Sequence, residues 1–160
     1  MKILEKKKIL VVSIVIVSVC LCTIFYWRQR IGKSVLGEMK IQYACDMDKV
    51  RLAQEDFFAA HDLSGRDKLH LFSILSSTRK YDKKRDKSYL LDGSFLYSPK
   101  VYFDFDNDRY TIYWKYDSGI IYCEGTEGKE ESYYYLEEDN AAKLKELYEK
   151  YIDLRGVSRQ

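Results

Sequence analysis

Residues 9–27 read ILVVSIVIVSVCLCTIFYW, nineteen positions without a charge, a proline or a glycine. This run constrains the chain more than any other feature. As a helix rising 1.5 Å per residue it would extend about 28 Å, close to the ~30 Å hydrocarbon core of a bilayer. A helix satisfies its own backbone amides, which lipid cannot do. Phe25, Tyr26 and Trp27 close the run with aromatic rings suited to the headgroup layer, and Arg28 and Arg30 then stop it. We therefore expect a single membrane-spanning helix at Ile9–Trp27, contacting membrane lipid along its length.

A cleaved signal peptide would need small residues before the cut, and no Ala-x-Ala occurs. A lipidated cysteine would follow a small residue, whereas Val19 precedes Cys20 and Leu21 precedes Cys22. The expected segment is a retained signal-anchor. Lys2, Lys6, Lys7 and Lys8 precede it, and Arg28, Arg30 and Lys33 follow it. The short basic tail favours a cytoplasmic N-terminus with the remaining chain outside, in the cell membrane or envelope.

The formal net charge of +2 conceals an asymmetry. Residues 1–33 hold seven basic side chains against Glu5 alone, a net of +6, so residues 34–160 hold 20 basic and 24 acidic ones, a net of −4. A mildly acidic domain argues against nucleic acid as a partner. The expected organisation is a basic tail at 1–8, the span at 9–27, a polar link at 28–38, a soluble domain at 39–154 and a C-terminal tail at 155–160.

Hydrophobic periodicity predicts an α+β domain. Met39, Ile41 and Tyr43 alternate with Lys40 and Gln42, as in a strand. Asp46 and Asp48 are candidate caps for a helix running to about Ala60, with Gly65 ending that unit. A second helix is expected over 67–79, capped by Asp67. Residues 89–136 then read as an antiparallel meander. Alternating runs at 89–91, 95–97, 101–105, 110–114, 120–124 and 131–136 are separated by short turns such as Asp106–Arg109 and Asp117–Gly119. Leu144, Leu147, Tyr148 and Tyr151 stripe one side of a final helix, about Asn140–Leu154, capped by Asp139 or Asn140. The expected sheet has about 4–6 strands and is covered on one face by helices.

Several chemistries lack the residues they need. Asp104, Asp106 and Asp108 resemble the start of a calcium loop. However, Arg109 stands at its sixth position and Lys115 at its twelfth, where glycine and glutamate belong, so the stretch reads as a turn. His61 and His70 read as structural, with no metal set or nucleophile motif around them. No phosphate-binding glycine loop occurs, and no cofactor is expected. Cys20 and Cys22 fall inside the span, leaving Cys45 and Cys123 as a candidate disulfide if the domain is extracytoplasmic. Arg79–Lys87 carries six basic residues in nine, a solvated loop or a contact for anionic surfaces.

Tyrosine is the most unusual usage, with fifteen in the chain. Neighbouring strand residues face opposite sides, so the meander tyrosines cannot all enter one core. Tyr102, Tyr113, Tyr122 and Tyr134 are the candidate ligand-contacting set, since tyrosine offers large contact area at low entropic cost. The expected function is a non-enzymatic, membrane-anchored module that binds a protein, a peptide or an envelope polymer. The alternatives are a small envelope hydrolase using turn carboxylates such as Glu124, Glu127, Glu130, Glu131, Glu137 and Glu138, or an accessory subunit of a membrane complex.

Overall fold

The computed structural model describes residues 2–47, 49–53, 60–81, 99–105, 108–115, 119–123 and 132–152. It divides into two compact units, Met1–Arg30 and Ile31–Gln160.

The first unit is helical throughout its described length, as part of α1 (Lys2–Lys33). Every side chain from Lys7 to Arg30 is exposed, including the whole apolar run. This is the one helix, among the described residues, long and apolar enough to cross a membrane. Thr23, one of its few hydroxyls, turns back on the helix and donates to the carbonyls of Val19 (2.9 Å) and Cys20 (2.8 Å). That bond lets a polar side chain sit in an apolar run.

The second unit holds a seven-stranded sheet. Its strands are β1 (Lys49–Ala53), β2 (His61–Asp62), β3 (Arg79–Lys80), β4 (Lys100–Phe105), β5 (Asp108–Lys115), β6 (Ile120–Cys123) and β7 (Ser132–Tyr135). The order across the sheet is β2-β1-β4-β5-β6-β7-β3, and every neighbouring pair is antiparallel. The meander β4 to β7 lies at its centre, as the alternation predicts. Phe105 pairs with Asp108, which leaves a two-residue connection.

Among the described residues β2 and β3 stand at opposite ends of the strand order, yet they are consecutive strands. Six strand spacings of about 4.8 Å make that separation roughly 29 Å before twist. Residues 63–78 must cover it, and they do so with α3 (Gly65–Ser76), a helix about 18 Å long. Leu71, Ile74 and Leu75 point inward, in one core with Val50, Leu52, Val101, Phe103, Ile112, Trp114 and Ile121 of the sheet. α4 (Glu138–Glu149) adds Leu144, Leu147 and Tyr148 to the same core. The Tyr148 ring lies 5.3 Å from that of Trp114. α3 and α4 run antiparallel: Asn140 donates to Ser77 (2.9 Å) at one end, and Lys150 reaches Asp67 at the other.

Several expectations need correction. Among the described residues the sheet has seven strands rather than four to six, because the two-residue strands carry too little pattern to be read. The helix expected from Asp46 or Asp48 to Ala60 is instead β1 over Lys49–Ala53, where Val50 and Leu52 alternate with Lys49 and Arg51. Gly65 opens α3 rather than ending a unit, and Ser64 rather than Asp67 is its cap, accepting from the Asp67 amide at 3.3 Å. Glu137 is the residue before α4, ahead of Asp139 and Asn140. The expected runs at 89–91 and 95–97 lie outside the described residues.

The strand expected over 38–44 is also absent. α2 (Val35–Glu38) stands there, followed by a 3-10 turn at Ala44–Asp46. Residues 28–38, expected as a polar link, are helical over most of their length, with Ile31, Val35 and Leu36 in the core. α2 ends in a left-handed turn at Lys40 (φ 58°), from which Lys40 donates to Gly37 (3.1 Å) and Ile41 to Leu36 (2.8 Å). This closes the helix end and buries Leu36 and Ile41 together. Thus Met39 and Ile41 are inward for a reason other than pleating. A Cβ on Gly37 would lie 2.5 Å from the Gly32 carbonyl oxygen, so only glycine allows this fold-back.

Candidate functional site

Register decides which side chains share a sheet face, since directly paired residues project to the same side. The core face carries Val50, Leu52, Val101, Phe103, Ile112, Trp114, Ile121, Cys123 and Tyr134. On the opposite face a single row crosses four strands. Lys100 pairs with Tyr113, Tyr113 with Tyr122, and Tyr122 with Tyr133. The rings follow one another at 5.4 Å and 5.1 Å between centroids, tilted by 42° and 38°. Such offset aromatic neighbours attract beyond their buried area. The Lys100 ammonium lies 5.0 Å from the centre of the Tyr113 ring, a cation over a π face.

A second row lies beside it. Arg51 pairs in register with Tyr102, its guanidinium 5.8 Å from the ring centre, and donates to Asp104 at 2.9 Å. Asp104, once a candidate cation ligand, is therefore one half of an ion pair.

Three of the four tyrosines in the candidate set, Tyr102, Tyr113 and Tyr122, are thus brought to one face. Tyr134 is not. It is buried on the core face, and its hydroxyl donates to Glu38 at 3.0 Å. Burial, and then the neighbouring Glu38 carboxylate, push its ionisation well above the ordinary tyrosine range. Tyr133 takes its place on the tyrosine face. Tyr102, Tyr113 and Tyr122 are half-buried and Tyr133 is buried, so the row presents part of its ring area rather than a bare surface.

This face combines stacked rings with cations held over them. Ring faces, a guanidinium and a carboxylate suit a peptide, another protein or a sugar ring. Among the described residues no group of three or more His, Cys, Asp or Glu side chains could hold a metal ion. His61 on β2 and His70 on α3 are both exposed. Glu124, Glu127, Glu130 and Glu131 lie outside the described residues, as does most of the basic run 79–87; of that run Arg79 pairs with Glu137 at 3.0 Å.

The candidate disulfide is not formed. Cys45 is exposed in the 3-10 turn with its thiol turned toward Asp46 (3.8 Å), whereas Cys123 is buried on the core face of β6.

A second polar cluster joins the helices. Asp67 Oδ2 accepts from Ser64 Oγ (2.8 Å), from Lys150 Nζ (2.6 Å) and from the Tyr151 hydroxyl. These bonds, Lys150 first, hold the Asp67 carboxyl far below the usual carboxylate range against the opposing effect of burial. Asp67 in turn raises the Lys150 ammonium. A carboxylate so firmly ionised and so fully bonded is a poor general base at neutral pH. It is a clasp between the N-terminal turn of α3 and the C-terminal end of α4.

No protein-family model, curated protein or solved structure matches this chain.

Proposed function

We propose that the chain is a single-pass membrane protein whose domain is a non-enzymatic binding module outside the cytoplasm. The observation that carries the reading is the first unit. Nineteen consecutive apolar or small residues are presented on a helix with none of its span buried. In water that exposure would cost on the order of 25 cal/mol for each Å² of apolar surface; in a bilayer it costs nothing. The basic N-terminal tail supports a cytoplasmic N-terminus. The tyrosine face, with Tyr102, Tyr113, Tyr122 and Tyr133 beside Arg51, is the proposed contact for a protein, peptide or envelope polymer.

Cys45 provides the test of location. It is exposed while Cys123 is buried, and Cys20 and Cys22 lie in the apolar helix. A membrane-impermeant maleimide applied to intact cells should label the protein, and Cys45→Ser should abolish the label. Labelling that appears only after lysis would reverse the orientation. For the contact, a photo-crosslinking amino acid at Tyr122 should give adducts in intact cells that the same group at Leu69 does not. Leu69 is an exposed position on α3. Equal yields at both positions would remove the tyrosine face from the proposal.

One observation favours a different reading, an accessory subunit of a membrane complex. Ser18, Cys22 and Thr23 line a shallow groove with Val19 and Tyr26 on one side of α1. Small side chains of this kind let two membrane helices approach closely.

A further inference from the structure

We infer that the Trp27–Arg30 end of the first unit binds the phosphate headgroups of anionic phospholipids. The inference rests on the membrane-spanning reading above and adds a ligand class to it.

Arg28 and Arg30 are both exposed, and neither forms an ion pair among the described residues. The sequence explains why: from Lys6 to Gly37 there is no aspartate or glutamate. A helix allows ion pairs three or four positions apart, and no carboxylate lies within that reach of either arginine. The first carboxylate downstream, Glu38, accepts from Tyr134.

The aromatic residues fix the depth. Tyr26 is 65% and Trp27 44% exposed at the end of the apolar run, and such rings settle in the headgroup layer. The Arg30 guanidinium lies 5.7 Å from the centre of the Trp27 ring. A cation over a ring that favours the headgroup layer is itself held at phosphate level. The guanidinium fork matches two phosphate oxygens at once, which an ammonium cannot do. At 100° per residue Arg28 and Arg30 project about 200° apart around the helix, so they reach phosphates of different lipids. A cation near a helix C-terminus is also favoured by the helix dipole, but that effect would not depend on which lipid surrounds it.

The test uses the full chain reconstituted in phosphatidylcholine vesicles that carry a trace of dansyl-phosphatidylglycerol or of dansyl-phosphatidylcholine. Energy transfer from Trp27 to the dansyl group is read, with Trp27→Phe as the blank for Trp114. Transfer to the anionic lipid should exceed transfer to the zwitterionic one. Removing each arginine as Arg28→Gln or Arg30→Gln should reduce the preference about fivefold, and added salt should weaken it. Equal transfer to both lipids, from protein that floats with the vesicles, overturns the headgroup site while leaving the span intact. Protein that does not float with the vesicles overturns the span, and the headgroup site with it.

Discussion

Tyr133 and Tyr134 are adjacent and chemically identical, yet they belong to different surfaces of one sheet. Tyr134 faces the helices, buried, with its hydroxyl bonded to Glu38. Tyr133 faces the other way and ends a row of three rings with Lys100 at its far end. The core face consists of aliphatic side chains with Phe103, Trp114, Cys123 and Tyr134, packed under α3 and α4. The tyrosine face consists of amphipathic rings and paired charges. The same residue type serves one side through its hydroxyl and the other through its ring. One face packs under the helices; the other is the face proposed for recognition.

The largest expected difference between the faces comes from neighbours on β5. Trp114→Ala empties a fully buried site and should cost about 3–5 kcal/mol. Tyr113→Ala, one residue away on the other face, removes a half-buried ring and should cost about 1–2 kcal/mol. Urea unfolding of the detergent-solubilised chain, followed by circular dichroism, measures both. Equal losses would mean that the tyrosine face is a second core rather than a recognition surface.

The clasp above the core face gives the next effect. Asp67→Asn removes the charge that Lys150, Tyr151 and Ser64 share and should cost about 2 kcal/mol. Its pH signature has a definite sign. The folded-state pKa of Asp67 is depressed, so its stabilisation is present above the unfolded carboxyl value of about 4 and is lost as pH falls below it. The wild-type midpoint should therefore drop in acid more steeply than that of Asp67→Asn; parallel curves would show that the clasp contributes nothing.

A smaller effect separates the two adjacent tyrosines. Tyr134→Phe deletes a hydroxyl bonded to a carboxylate and should cost about 1 kcal/mol. The Tyr134 ionisation is raised in the folded state, so the wild type should lose stability as pH rises past about 10, and Tyr134→Phe should lose less. An unchanged alkaline slope would mean that this hydroxyl titrates as it does in water.

The meander was legible because its strands are half-buried and period two is strong over 101–105 and 110–114. What pattern could not supply was parity. In Tyr133–Tyr134–Tyr135 any residue could face inward, and only the pairing of Tyr122 with Tyr133 settles it. β1 was obscured by Asp46, whose carboxylate looks like a helix cap but accepts from the Gln42 and Tyr43 amides to hold a 3-10 turn. The strand pattern at Met39 and Ile41 was imitated by a left-handed residue, Lys40, which stands exposed between two buried ones. The Asp67 clasp was illegible for another reason: Lys150 lies 83 residues away, and no local rule pairs them.

The sheet begins and ends in strands of two residues, β2 and β3. An outer strand this short exposes very few unpaired amides and carbonyls, and His61, Asp62, Arg79 and Lys80 put polar side chains on both rims. Among the described residues, short, polar rims of this kind offer little template for strand-to-strand fusion with another copy.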